Sequence, residues 1–259
     1  DQVKLRIEME SHLRRALEKD EFFLCYQPIY QLKSGKIFGS EALIRWQHPK
    51  LGLIPPNEFI PVAEETGLIR EIGRWVLIES CRQNKKWHDD GIRNLVISVN
   101  VSPKQFQHEM FISDVKEALS ISGMSPEYLH LELTESIMLG NISYSVSVMK
   151  ELQRLGVKVS IDDFGKGYSS LNYLRNLPAN TIKIDRSFIK NIHQDPSHMA
   201  IVKAIITMGK GLSMKVIAEG IETKEQWELL KKLNCHYAQG YYIHKPLKAN
   251  EFVTKINVS

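Results

Sequence analysis

The sequence predicts an α/β barrel of eight strands whose opening pair is antiparallel, and three observations lead there. Short apolar runs alternate with amphipathic segments of helical spacing from Leu95 onward. The length of 259 residues suits one (β/α)8 barrel. The first two apolar runs are joined by Lys33-Ser34-Gly35-Lys36, a link too short for a crossover, so those strands must run antiparallel. An open doubly wound sheet is the alternative that alternation alone leaves standing. No low-complexity tract or linker divides the chain, so residues 1–259 are expected to form a single domain. Its first 20 residues supply a helix leading into the barrel.

That helix is read from the apolar spacing of Leu5, Met9, Leu13, Ala16 and Leu17. Phe22 to Tyr30 and Ile37 to Trp46 are the hairpin strands. Pro55-Pro56-Asn57 opens a short helix to Glu65, and a long helix runs from Ile69 to Asp89, closed by Gly91. Strands are then expected at Leu95–Asn100, Leu129–Leu133, Lys158–Asp162, Thr181–Asp185, Lys215–Glu219 and Tyr237–Ile243. The helices following them are Phe111–Ser122, Ser143–Leu155, Ser170–Asn176, His198–Leu212, Lys224–Leu233 and Ala249–Ile256.

With 43% hydrophobic and 25% charged residues, the chain can bury a sizeable core. The net charge of +4 comes without a dense Lys/Arg run or a basic-aromatic stripe, which argues against nucleic acid as the main partner. Cys25, Cys81 and Cys235 are isolated and odd in number, so neither a disulfide framework nor a thiolate zinc site is expected, and a reducing cytoplasm is the simplest setting. No apolar run reaches the length of a membrane span, so no membrane contact is expected of this segment. A chain that starts at Asp1 with no signal peptide is expected to be a piece of a longer protein, which a membrane anchor elsewhere could hold.

Chemistry concentrates where strands end. In Val159-Ser160-Ile161-Asp162-Asp163-Phe164-Gly165-Lys166-Gly167, a strand runs into adjacent carboxylates and then a glycine-punctuated loop. Neighbouring strand residues face opposite ways, so Asp162 and Asp163 converge only if the strand ends there and the backbone turns. The other strand ends carry Glu41, Asn100, Glu132, Lys183, Glu219 and Gln239, each interrupting or closing an apolar run. A buried carboxylate is costly unless paired or bound to a cation. Acids on several strands sharing one end therefore point to a metal site, and oxygen donors select magnesium or manganese. Glu41, Glu132, Asp162, Asp163 and Glu219 carry five negative charges, which two divalent ions and Lys183 would balance. Two such ions can activate a water and stabilise the leaving oxygen in phosphoryl displacement. None of the nine histidines has zinc-like spacing, and His130, on the face of Glu132, reads as an inward core residue.

These residues carry a resemblance. Ser40-Glu41-Ala42-Leu43-Ile44-Arg45-Trp46, Asn100-Val101-Ser102, Glu132-Leu133-Thr134-Glu135-Ser136, Asp162-Asp163-Phe164-Gly165, Lys183-Ile184-Asp185, Ala218-Glu219-Gly220-Ile221-Glu222-Thr223 and Gln239-Gly240-Tyr241 resemble the EAL domain family of cyclic di-GMP phosphodiesterases. The likeness runs from Phe22 to Phe252, with seven motifs in family order. It implies a modified (β/α)8 TIM-like barrel with its first strand antiparallel, and hydrolysis of cyclic di-GMP to linear 5′-pGpG with two Mg2+ or Mn2+ ions. By the same resemblance, Glu41, Asn100, Glu132 and Asp162 hold one ion and Asp162, Asp163 and Glu219 the other. Lys183 meets the attacking water or the scissile phosphate, Glu219 is the candidate general base, and Glu41 completes the catalytic set.

Gln27, Leu43, Arg45 and Gln239 are the implied substrate contacts. Without the resemblance, Gln27 is a polar residue closing a strand before Pro28, and Arg45 a surface salt-bridge partner. Glu135 is implied to brace the loop after Asp163, with helix capping an equal reading. Lys166 stands where the family mostly has Thr, which leaves every implied ligand intact. The resemblance also implies a homodimer formed near this loop, and sensory or regulatory domains attached in the full-length protein. A non-catalytic cyclic di-GMP receptor is the alternative from another class, and a metal enzyme acting on another phosphate ester is a third.

Overall fold

The parallel strands are buried along nearly their whole length, as expected of an inner ring covered by helices, and the computed structural model describes residues 2–166 and 174–256 of the chain. The strands are β1 (Phe22–Gln31), β2 (Ile37–His48), β3 (Gly52–Ile54), β4 (Val96–Asn100), β5 (Leu129–Thr134), β6 (Lys158–Phe164), β7 (Thr181–Ile184), β8 (Lys215–Ala218) and β9 (Tyr237–Ala238). They join in the order β1-β9-β8-β7-β6-β5-β4-β2-β3, and β1 also pairs with β2, which closes eight of them into a barrel. β1 is antiparallel to both neighbours, while the steps from β2 through β4 to β9 are parallel. The expected antiparallel opening is therefore observed, and the open-sheet alternative is excluded by the β1–β2 closure.

Three strands differ from expectation. β3 is an additional strand of three residues, antiparallel on the outer edge of β2, too short to leave a periodic signal. The last strand stops at Ala238 rather than Ile243. Gly240 presses on the Ile221 backbone, where a Cβ would come within 2.2 Å of its N and O, and the chain turns back through Ile243 N–H to the Gly240 carbonyl. β6 continues to Phe164 instead of ending at Asp162, with its register broken between Ile161 and Phe164.

Around the barrel lie α1 (Gln2–Glu18), α2 (Pro56–Thr66), α3 (Ile69–Asp89), α4 (Pro103–Phe106), α5 (Phe111–Ser122), α6 (Glu135–Gly140), α7 (Ile142–Leu155), α8 (Arg186–Lys190), α9 (Pro196–Gly211), α10 (Lys224–Lys232) and α11 (Ala249–Ile256). The short helices α4, α6 and α8 were not anticipated. The helix expected at Ser170–Asn176, and Gly167, lie largely outside the described residues. α3 buries Ile72, Val76, Leu77, Cys81 and Trp87, matching its helical apolar period. Trp87 stacks on Phe252 of α11 at 4.6 Å and meets Tyr26 of β1 edge-on at 4.8 Å. Burying a large apolar side chain this fully contributes about 1.5–3 kcal/mol, so Trp87→Ala would unlatch α11 from β1.

The caps also place the loops at the site. α10 begins with a capping box between Thr223 and Gln226. The Gln226 amide accepts the Glu222 and Thr223 N–H groups and donates to the Ile189 and Lys190 carbonyls, tying the loop after β8 to the end of α8. Among the described residues no helix is long and apolar enough to cross a membrane.

Candidate active site at the strand ends

Lys183 stands at the centre of the barrel mouth, fully buried. β7 alternates, so Lys183 points inward, and the parallel register brings inward residues of neighbouring strands level with it. Its ammonium donates to Glu132 Oε2 on β5 and lies 2.8 Å from Glu219 Oε1, just past β8. Glu41 Oε2 on β2 and Asp162 Oδ1 on β6 each stand 3.5 Å away. One cation thus faces four carboxylates from four strands.

The surplus negative charge is expressed in the titration of the cluster. Burial and the neighbouring acids Glu41, Asp162 and Glu219 raise the Glu132 carboxyl well above its ordinary range, against the pull of Lys183. Burial likewise lifts Glu219 to about 8, with Lys183 opposing and Asp162 and Glu41 adding to the rise. Burial would also raise Glu41, but Lys183 and the amides of Gln239 and Asn100 more than offset it, so its carboxyl falls below the usual range. Lys183 itself, though desolvated, is held protonated by the four acids.

An amide network continues outward from Glu41. Asn100 Nδ2 donates to Glu41 Oε1 at 2.6 Å, and Gln239 Nε2 donates to Glu41 Oε2 at 2.7 Å and to Gln27 Oε1 at 3.0 Å. Above this floor opens a cavity of about 390 Å³, lined by Gln27, Leu43, Asp163, Lys166, Arg186 and Tyr241 among others.

Asp163 belongs to a second cluster. The bulge in β6 gives it a left-handed φ of +54°, an unusual backbone state that Asp tolerates better than most residues. Its N–H donates to Asp162 Oδ1 at 2.9 Å while its own carboxylate turns to Lys166 Nζ, 2.8 Å away. Lys166 Nζ is also 2.8 Å from Asp185 Oδ2. Asp185 caps α8 through the Ser187 N–H, and burial is outweighed by Lys166 and Ser187, which hold its carboxyl well below the usual range. Glu135 Oε2 accepts the Gly165 N–H at 3.3 Å, so the side chain reaches the loop after Asp163.

The donors suit a hard divalent cation. Glu132 Oε1 and Gln239 Oε1 are buried and have no hydrogen-bond partner, a costly state that an ion or a ligand would relieve. Among the described residues no three ligand-type side chains stand preassembled about one point. The carboxylates close on Lys183 and Lys166 instead, so an ion would have to draw them off these ammonium groups.

A model of the EAL domain family matches residues 10–246 of this architecture. The chain belongs to the EAL domain family. It is 43% identical over 97% of its length to the bifunctional diguanylate cyclase/cyclic di-GMP phosphodiesterase MucR of Pseudomonas aeruginosa, covering 37% of that protein. It is 42% identical over 93% of its length to the cyclic di-GMP phosphodiesterase NbdA of the same organism, covering 31% of it. The chain thus spans about a third of the length of these curated relatives. A solved structure of the PaMucR phosphodiesterase in complex with c-di-GMP superposes with a TM-score of 0.92 and 44% identity, covering 95% of this chain and 99% of that one.

In this EAL domain the predicted site residues do not form one group. Glu41, Glu132, Asp162 and Glu219 gather around Lys183, and Asn100 and Gln239 buttress Glu41. Asp163 faces away from that centre, toward Lys166 and Asp185. Gln27 and Leu43 line the cavity. Arg45 sits instead on a neighbouring, more apolar groove shared with Leu43 and Asn100, its guanidinium donating to the Ile44 carbonyl. His130 is a buried core residue edge-on to Phe38. Sequence reasoning assigned no role to Asp185, although the period of two along Lys183-Ile184-Asp185 places both polar residues on one face.

Proposed function

We propose that this domain hydrolyses one phosphodiester bond of cyclic di-GMP to give linear 5′-pGpG, using two Mg2+ or Mn2+ ions. The convergence of four carboxylates from four strands on one buried lysine, in a member of the EAL domain family, is the observation that carries this reading. Relatives named as cyclic di-GMP phosphodiesterases and a neighbour solved with c-di-GMP support the choice of substrate. Glu41, Asn100, Glu132 and Asp162 would hold one ion, and Asp162, Asp163 and Glu219 the other. When bound, the ions supply charge neutralisation at the scissile phosphate and lower the pKa of the attacking water.

The chain's own groups do the rest. Gln27, Leu43 and Gln239 form the floor and wall against which the dinucleotide is oriented, and Arg45 reaches a base or phosphate from the adjoining groove. Lys183 donates a hydrogen bond to the water or to a non-bridging phosphate oxygen as charge develops there. Glu219 takes the proton of the water, whose oxygen forms a bond to phosphorus as the bond to the 3′ oxygen breaks. The 3′ oxygen takes up a proton from solvent and leaves as the hydroxyl of the linear product, and Glu219 returns its proton to solvent. The domain is joined to sensory or regulatory domains, in keeping with its share of its relatives' length, and acts as a homodimer by family resemblance alone.

The test is incubation with cyclic di-GMP and Mg2+, followed by chromatographic separation of the nucleotides. The expected product is 5′-pGpG, appearing as cyclic di-GMP disappears. Tight binding without turnover would replace this reading with that of a receptor, and neither binding nor turnover would send the search to another phosphate ester.

A further inference from the structure

Lys166 occupies a position that two independent anchors specify. Asp185 is held rigid by the Ser187 N–H and hydroxyl, both on Oδ1, which leaves Oδ2 for Lys166 at 2.8 Å. The backbone just before Lys166 is held as well, because Gly165 donates to Glu135 and lies against Phe188, where a Cβ would approach within 2.7 Å. From that anchored base the lysine, about half exposed, places its ammonium 2.8 Å from Asp163 Oδ1. Asp163 adjoins Asp162, whose Oδ1 is 3.5 Å from Lys183. Two ammonium groups thus offset part of the acidic mouth's charge, Lys183 in the floor and Lys166 at the rim.

We infer that Lys166 is a displaceable internal cation that competes with the second metal ion for Asp163. The inference rests on the two-ion reading above and adds a positioning role to a residue outside the proposed ligand set. An ion can take Asp163 only when the Lys166 ammonium leaves it. Lys183 faces carboxylates of both sites, Glu41 and Glu132 of the first, Glu219 of the second and Asp162 of both, so the Lys166 ammonium is the competitor that sets the second site apart. The two sites therefore fill in order, and the second fills only when the metal concentration is high enough to displace the lysine. Because Lys166 is pinned to Asp185 as well, displacement moves the segment 163–166 together with its side chain. The side chain is exposed at the rim, so its replacement leaves the fold intact.

The experiment is a Mn2+ titration of the whole domain without nucleotide, read by the EPR signal of free Mn2+ for the wild type, Lys166→Met and Lys166→Arg. The expected wild-type result is two ions bound with different affinities. Lys166→Met should tighten the weaker ion about fivefold or more and leave the tighter ion nearly unchanged, while Lys166→Arg should behave like the wild type. Equal tightening of both ions would reveal only a general loss of positive charge and would overturn the inference. So would a weaker ion unaffected by Lys166→Met. A wild type that binds no Mn2+ at all would overturn the two-ion reading beneath it.

Discussion

Glu41 has no idle oxygen: one accepts from Asn100, and the other from Gln239 and Lys183. Glu41→Ala should cut hydrolysis by about 10²–10³-fold or more, while circular dichroism and thermal unfolding stay close to native. Unimpaired turnover would remove Glu41 from the reacting centre. The cysteines lie outside this network. Burial pushes the thiols of Cys81 and Cys235 up to about 12, so at pH 8 only about one in ten thousand is a thiolate. Cys25 is raised too, chiefly by burial, but it is only half-buried. A thiol reagent at pH 8 should therefore modify Cys25 first in the native protein and the other two only after denaturation. Equal labelling of all three in the native state would contradict the packing. At this scale the types of the site residues were legible because a charge in an apolar run is conspicuous. Their partners were not, because Lys166–Asp185 is a contact between two loops that no spacing encodes.

At the scale of elements, the strand ends decide what the site can present. Gly240 lets the chain after β9 lie directly on Ile221, which fixes Gln239 beside Glu41. Gly240→Ala would press a methyl into backbone that cannot retreat, and should cost about 3 kcal/mol or more, measured by denaturant unfolding. A stability within about 0.5 kcal/mol of the wild type would show that the loop yields. Pattern reading recovered the strand-helix alternation and most boundaries because periods of 2 and 3.6 are local properties. It missed β3, three residues long, and the helices α4, α6 and α8 of four to six residues, which are shorter than a period can register. It also ended β6 two residues early, because a bulge lets a strand continue past a kink that looks like a terminus.

Across the whole molecule, barrel closure turns four separated acids into one electrostatic unit, and Lys183 is its only buried ammonium among the described residues. Removing it leaves the carboxylates facing one another in a desolvated site. In metal-free buffer Lys183→Met should lose about 3–5 kcal/mol of stability, and Mn2+ should restore much of it. A loss that Mn2+ does not touch would show that no ion enters the carboxylate cluster. Calcium should support little hydrolysis in the wild type, because its longer bonds and looser shell misplace the water; a rate equal to that with Mg2+ would argue against a compact two-ion centre.

The antiparallel opening, the parallel remainder and the gathering of acids at one end of the barrel could be read from the chain, since link lengths and alternation constrain strand direction and face. Only the tertiary structure decided that the acids divide into two clusters, one around Lys183 and one around Lys166. It also decided that Arg45 serves a neighbouring groove. The reason is geometric. Which ammonium a carboxylate meets depends on a bulge in β6 and on loops that approach from distant parts of the chain, and neither leaves a mark on local sequence periodicity.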